Sequence, residues 1–453
     1  MAGKSQFGSK VGLIAATVGS AVGLGNVWRF PAEAQANGGA AFLIIYIACV
    51  AILGVPVMLA EFSLGRGTGR DAVGSFLKLA PRKKWWIAGA IATLASYLIL
   101  SFYLVVAGWT LEYFWQSITG ELYAGVTTEG MGVNFREQMG RYIGGSWEPL
   151  LATYVIIGIN IFVLMRGVQK GIEKMSNIMM PALFLLLVFF CIAALTLPKA
   201  EEGMKYFFSP DFTKISATTF VNALGQAFFS LSLGMGILVT YSAYYPKKTN
   251  LINTSFTVSA LDLTVAVLMG IIIFPAVMSF GLAGESLEGA TLVFVTLPEV
   301  FASMPFTRFW SALFFLLLLV AAVTSTISLA EVTIAFVSDK FKLGRKKACW
   351  VVMLPLVALS SLCSLSQGVL SHIRLFHQNI FDFLDTVATN LMLPVAAILT
   401  CFFLGWIAPK KFLKNELTNK GRLNRKLSAC IIWIIRYAAP GLICIILVAK
   451  FLN

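Results

Sequence analysis

Charge is scarce in this chain. Charged residues occupy 12% of its 453 positions, and histidine contributes only two. A soluble domain carries roughly 25% charged residues, so an ordinary water-facing surface cannot be built from this composition. Catalytic patterns are lacking too. The sequence has no CxxC pair, no histidine–carboxylate metal pattern on a predicted span and no GxSxG serine, which leaves an intramembrane enzyme without a nucleophile or a metal. The seven cysteines, from Cys49 to Cys444, all fall within or beside apolar runs, and none lies in the long polar stretch 118–148. That placement excludes a disulfide framework. His372 and His377 lie near a predicted external loop, where ordinary loop positions are a better reading than paired metal ligands. No linker or low-complexity stretch divides the chain, so a single domain over 1–453 is expected.

What is present is overwhelmingly apolar. Hydrophobic residues make up 58% of the chain, and the mean hydropathy is +0.83. Crossing a bilayer takes about 20 apolar residues. Eleven runs are long enough, near 9–36, 40–65, 86–115, 149–165, 175–197, 218–245, 252–282, 308–337, 348–364, 379–407 and 428–451. The chain therefore reads as an all-α integral membrane protein. The first run has no charged start or small-residue cleavage site, so a retained helix is expected there.

The net charge of +14 invites a nucleic-acid partner, but its placement argues against one. With a cytoplasmic N-terminus, twenty-five of the 35 lysines and arginines fall on the cytoplasmic side and eight outside, with Arg29 and Arg436 inside helices. This is the positive-inside bias of a membrane protein, and it also attracts anionic lipid. An odd number of spans then puts the C-terminus outside.

Two runs carry the same fault. Residues 19–26 read GSAVGLGN in the first, and 229–236 read FSLSLGMG in the sixth. Glycine in a helix interior is about 1 kcal/mol worse than alanine, and an unpaired backbone group in hydrocarbon costs several kcal/mol. Broken backbone is tolerated there only when it lines a cavity. Recurrence five runs later points to two inverted units, 1–200 and 215–407, with the last run (428–451) outside the repeat, and to a solute site at the two breaks. A break exposes amides that favour a carboxylate and carbonyls that favour small hard cations or an amino group. The fifth run holds Gly171 and Pro181 around IEKMSNIMM. These are either a tolerated kink or a hinge that unwinds toward the inner side. The loop 283–307, with GATLVFVTLPEVF, is expected to form a helical hairpin over the site.

GSAVGLGNVWRFP (19–31), NGGAAF (37–42), GQAFFSLSLGMG (225–236), AAVTSTIS (321–328) and FDFLDTVATNLMLP (381–394) together closely resemble the neurotransmitter:sodium symporters. The likeness covers essentially the whole chain and is greatest to bacterial eleven-span members, which include transporters of leucine and hydrophobic amino acids. It implies the 5+5 inverted-repeat fold with broken helices 1 and 6, location in a bacterial inner membrane, alternating access and no covalent chemistry. It also implies two sodium ions. The first would be held by Ala21, Asn26, Ser230 and Asp262 with the substrate carboxylate. The second would be held by Gly19, Val22, Ala321, Thr324 and Ser325. Seen alone, the TSTIS cluster would equally serve as packing between helices. Asp262 is expected to supply the fixed negative charge of chloride-independent members, although these often carry it one turn later, at the position of Ala266; a structural ion pair is the alternative.

By the same resemblance the substrate would contact Ala21, Gly23, Leu24, Gly25, Ile99, Tyr103, Phe229, Ser230, Ser232, Met235, Ser325 and Leu329. Tyr103 and Phe229 would cover it from outside. The apolar wall and the flexible Met235 suit several hydrophobic L-amino acids, aromatic ones included, and disfavour charged side chains. Arg29 with Asp385 would close the outer side, and Lys4 with Asp339 the inner side. Lys4 replaces the family's arginine and Phe7 its tryptophan, and lysine cannot make the bidentate guanidinium contact. Glu61 is expected to support the first sodium site, and Glu331 to belong to the inner pathway near Tyr244; both also fit a purely structural role. A membrane sensor that binds without transporting is the rival function.

Overall fold

In hydrocarbon, a spanning segment must satisfy its own amides and carbonyls, and helix is the simplest way to do so. The computed structural model describes residues 6–125, 134–281, 289–423 and 425–452, which are predominantly helical. Their only β-type pairings are two isolated bridges, Gly39 with Pro210 and Leu375 with Gln378.

Nine described helices are long and apolar enough to cross a membrane. They are Ala40–Thr68, Trp86–Thr119, Glu148–Met165, Val168–Leu195, Leu251–Ser279, Thr307–Phe341, Arg345–Leu365, Ile380–Ile407 and Lys426–Ala449. A tenth span is the pair Lys10–Ala21 and Gly25–Ala36, bent by 56° at the break. The sixth run is divided into Ala217–Ser230 and Ile237–Ser242. Each half is too short to cross alone, so the expected eleven spans are reached only if this divided stretch is counted.

Burial grades the helices. Trp86–Thr119 and Thr307–Phe341 are the most deeply enclosed and pack along each other, while Lys426–Ala449 is the most peripheral. Small residues permit the closest approaches, as membrane helix packing requires. A Cβ on Gly108 would lie 2.9 Å from the Thr153 amide nitrogen.

Several helices contain π-helical turns, which admit one extra residue and recur near functional sites. Gly25–Arg29 follows the first break directly, and Thr386–Met392 lies in the tenth run. A third, Val168–Glu173, opens the fifth span. Here Gly171 is buried in the π turn, and Pro181 sits inside the helix Lys174–Leu195 that continues from it. The segment marked as a weak point is thus wound in this conformation. The loop expected to form a hairpin contributes one helical segment, Gly289–Ala302, while its residues 283–288 lie outside the described residues. Phe294 of that segment meets Tyr113 at 4.9 Å and Trp109 at 6.0 Å between ring centres.

The N-terminal end of the first span is anchored by one carboxylate. Glu173 accepts hydrogen bonds from the amides of Gly8 (2.7 Å) and Ser9 (3.0 Å) and from Ser9 Oγ (2.8 Å). Ser9 in turn caps the helix by accepting from the Gly12 amide at 2.9 Å. Hydrogen bonds to a charged acceptor each contribute about 1.5–3 kcal/mol. Glu173→Ala should therefore loosen residues 8–12 while leaving the core intact. Hydrogen exchange of the purified protein is expected to show at least a tenfold loss of protection confined to that segment, with Glu173→Gln intermediate.

Candidate functional site

Both glycine-rich stretches break where the sequence places them. The first helix ends at Ala21, Val22 turns extended, and helix resumes at Gly25. The second ends at Ser230 and resumes at Ile237. Between them Ser232, Gly234 and Gly236 have positive φ of 54°, 77° and 71°. Glycine takes such angles freely, whereas at Ser232 the left-handed backbone costs about 1–2 kcal/mol.

The freed backbone groups have side-chain partners, as burial demands. Ser232 Oγ donates to the Ser20 carbonyl at 2.6 Å, which ties one break to the other. Gln226 Nε2 donates to the Gly25 carbonyl at 3.2 Å, Ser325 Oγ to that of Val22 at 3.3 Å, and Ser96 Oγ to that of Met235. On the amide side, Leu24 N donates to the Tyr103 hydroxyl at 3.1 Å and Gly234 N to Glu61 Oε1 at 2.7 Å. Glu61 therefore grips the second break through Gly234, while its Oε2 has no hydrogen-bond partner among the described residues.

A cavity with about 30 Å³ of free space lies between the breaks, room for a water or two. Ala21, Gly23, Gly25, Ile99, Tyr103, Phe229, Ser230, Ser232, Met235, Ser325 and Leu329 line it, as does the pair Ser20 and Ile237 that the sequence did not suggest. Leu24 is not in the lining and meets the site through its amide. Both glycines are needed for close approach. A Cβ on Gly23 would stand 2.8 Å from the Tyr103 hydroxyl, and one on Gly25 would stand 3.0 Å from the Phe229 ring.

Beside this cavity, Asp262 is fully buried. Its Oδ1 accepts from Asn26 Nδ2 and from Ser230 Oγ, both at 2.9 Å, and Ser230 Oγ also reaches Oδ2 at 2.8 Å. The Tyr46 hydroxyl approaches Oδ2 at 3.4 Å. Three of the four proposed first-sodium residues thus converge, and Ala21 shares the cavity lining with Ser230. Tyr46 was missed, although a lone tyrosine hydroxyl in an apolar run was a usable signal. The second set also comes together. Thr324 Oγ1 donates to the Ala321 carbonyl at 2.9 Å, Ser325 reaches Val22, and a Cβ on Gly19 would lie 3.3 Å from Thr324 Cβ. These five residues join the first span to Thr307–Phe341.

The charges expected to flank the site lie on both sides of it. Arg29 stands 5.8 Å over the Phe229 ring and shares a small cavity with Thr389 and Leu393 of the tenth run. Glu33 and Asp385 both lie close enough to act on it electrostatically. Of the other expected pair, Lys4 lies outside the described residues, and Asp339 lines a surface cavity with Arg70 and Lys78. Phe7 packs among Tyr241 and Tyr245 at 6.0 and 6.1 Å, and its amide donates to the Tyr244 carbonyl at 3.1 Å. Tyr244 donates its hydroxyl to Glu331 Oε1 at 2.7 Å. The same carboxylate receives both terminal nitrogens of Arg345, whose Nε reaches the Leu164 carbonyl at 2.8 Å. Arg345 was not anticipated, because it begins a helix and reads in sequence as one of a run of loop cations.

Known proteins share this arrangement across nearly the whole chain. Residues 4–130 and 137–453 match the sodium:neurotransmitter symporter family. An uncharacterized sodium-dependent transporter of Bacillus subtilis is 37% identical over 448 residues, spanning 99% of this chain and 97% of that one. The sodium-dependent serotonin transporter of Drosophila melanogaster is 28% identical over 404 residues, 80% of this chain and 64% of the relative. Among solved structures, MhsT in complex with L-phenylalanine superposes with a TM-score of 0.88 at 39% identity, covering 98% of this chain and 99% of the other. A chain with these breaks, this fold and these relatives is a sodium-dependent transporter, not an enzyme, and belongs to the sodium:neurotransmitter symporter family.

Proposed function

We propose that the chain couples sodium entry to uptake of hydrophobic L-amino acids, aromatic ones included, by alternating access across a bacterial inner membrane, with its N-terminus inside and its C-terminus outside. The observation that carries the reading is Asp262. Its hydrogen-bond partners are neutral donors, and among the described residues no lysine or arginine forms an ion pair with it. A buried carboxylate without a cation costs several kcal/mol. A sodium ion among Ala21, Asn26, Ser230 and Asp262 would neutralise that charge, and a substrate carboxylate bound at the Leu24–Gly25 amides would complete its coordination. Ion and solute would then raise each other's affinity equally. With the negative charge built into the protein, transport needs no chloride. A second ion at Gly19, Val22, Ala321, Thr324 and Ser325 would link the first span to the eighth run, and release inward would use the hinge at Gly171 and Pro181.

The walls set the substrate class. Ile99, Phe229, Met235, Ile237 and Leu329 offer no partner to a charged side chain. Methionine at 235 is flexible and adapts to side chains of different shape. The L-phenylalanine complex of MhsT supports admitting aromatic substrates.

Four outcomes test this reading. In proteoliposomes, a panel of competing amino acids should show sodium-dependent uptake inhibited by leucine, isoleucine, methionine and phenylalanine, and unaffected by lysine or glutamate. Binding without accumulation would instead indicate a sensor. Replacing external chloride with gluconate should leave uptake unchanged, whereas Asp262→Asn should cut it by more than about tenfold, the effect of 1.4 kcal/mol, and reduce sodium affinity. Gly23→Ala should overpack the site by about 1–3 kcal/mol and weaken substrate binding, with partial recovery when combined with Tyr103→Phe.

A further inference from the structure

Outside the transport site, a wide groove lies between the fourth and fifth runs, on the face where the basic loops gather. It measures about 610 Å³ and is lined by Gly158, Ile159 and Phe162 on one side and by Met175 and Ile178 on the other. Phe162 and Ile178 are 58% and 61% exposed, so this wall faces whatever surrounds the helices. Gly158 has nothing within 4 Å of where a Cβ would stand, which leaves a channel along the helix.

The mouth of the groove is cationic. Arg166, Lys170 and Lys174 line it, and all three are exposed. Arg166 is held there by the Phe162 ring, 3.8 Å below its guanidinium carbon. The acid nearest in sequence, Glu173, is turned away and engaged by Gly8 and Ser9. Among the described residues, none of the three cations has an ion-pair partner.

We propose that this groove is a binding site for one anionic phospholipid, with its phosphate between Arg166, Lys170 and Lys174 and an acyl chain lying along Gly158, Phe162 and Ile178. A long apolar trough that ends in three unpaired cations at the membrane–water boundary matches that ligand in both shape and charge. A soluble phosphate would leave the trough uncovered, and a zwitterionic lipid would leave the cations unbalanced. The lipid would rest against Gly171 and the π turn Val168–Glu173, and so bear on the element that anchors the N-terminal end of the first span.

Native mass spectrometry of the full-length protein in detergent tests the site, with phosphatidylglycerol and phosphatidylcholine offered at equal concentration. The wild type should retain a phosphatidylglycerol adduct selectively. Attraction of about 1 kcal/mol per basic residue is about fivefold per charge, so Arg166→Gln, Lys170→Gln and Lys174→Gln together should weaken it on the order of 100-fold. Gly158→Phe, which fills the trough and keeps every charge, should weaken it as well. Lys410→Gln, Lys411→Gln and Lys414→Gln together should not. Each variant is checked for an unchanged melting temperature and elution volume, and any that fails is replaced by its single-site versions. Equal retention of both lipids by the wild type, equal loss in both triple variants, full retention in Gly158→Phe, or displacement by millimolar inorganic phosphate would each overturn the assignment.

Discussion

Everything in this structure follows from the cost of leaving a peptide group unpaired away from water. Nine or ten helices meet that constraint internally. At two places the chain gives up helical pairing, and there the protein recruits side chains to replace it. Ser96, Gln226, Ser232 and Ser325 donate to carbonyls, while Tyr103 and Glu61 accept from amides. These contacts come from four separate helices as well as the breaks themselves, so the site is where the bundle is most cross-connected. Hydroxyls and amides are interchangeable partners for a carbonyl, an ammonium or a small hard cation. The groups that hold the breaks open are therefore the kinds of groups that a zwitterion and an ion would use.

Buried charge is treated in two ways. Glu331 is enclosed yet fully compensated, since Arg345 grips both of its oxygens and Tyr244 adds a third bond. Such a pair holds several elements together: the helices Thr307–Phe341 and Arg345–Leu365, the end of Glu148–Met165 through Leu164, and Tyr244 just beyond Ile237–Ser242. Asp262 is enclosed as deeply but has only neutral donors. A compensated charge fixes geometry, whereas an uncompensated one remains available to a mobile cation. The contrast between these two acids separates scaffold from site more sharply than burial does.

The helices and both breaks were legible in the sequence, because hydropathy and glycine placement act locally. The residues that line the cavity were legible through family resemblance, which names eleven that border it; Leu24 meets it through its amide. Less legible was anything that depends on which way a polar side chain turns. Tyr46, Ser96 and Gln226 sit in otherwise apolar helices, and only the packed bundle decides that they face the breaks. Glu173 looked like one more loop charge, and Arg345 like one of several cations after the eighth run. In the fifth span the sequence left a kink and a hinge both open at Gly171 and Pro181; in this conformation a π turn absorbs the glycine and the helix runs on through the proline.

That π turn has counterparts at Gly25–Arg29 and Thr386–Met392, which meet at the small cavity lined by Arg29 and Thr389. Each inserts one residue without a matching gain in helix length, so side chains beyond it are rotated by about a hundred degrees relative to those before it. On the tenth run this phase shift separates Asp385, at its start, from Leu393, which lines the small cavity beside Arg29. The amino-acid count between outer charge and inner apolar contact is thus tuned by single-residue bookkeeping in the helix. Side chains between Asp385 and Leu393 therefore point where regular α-helical counting would not put them.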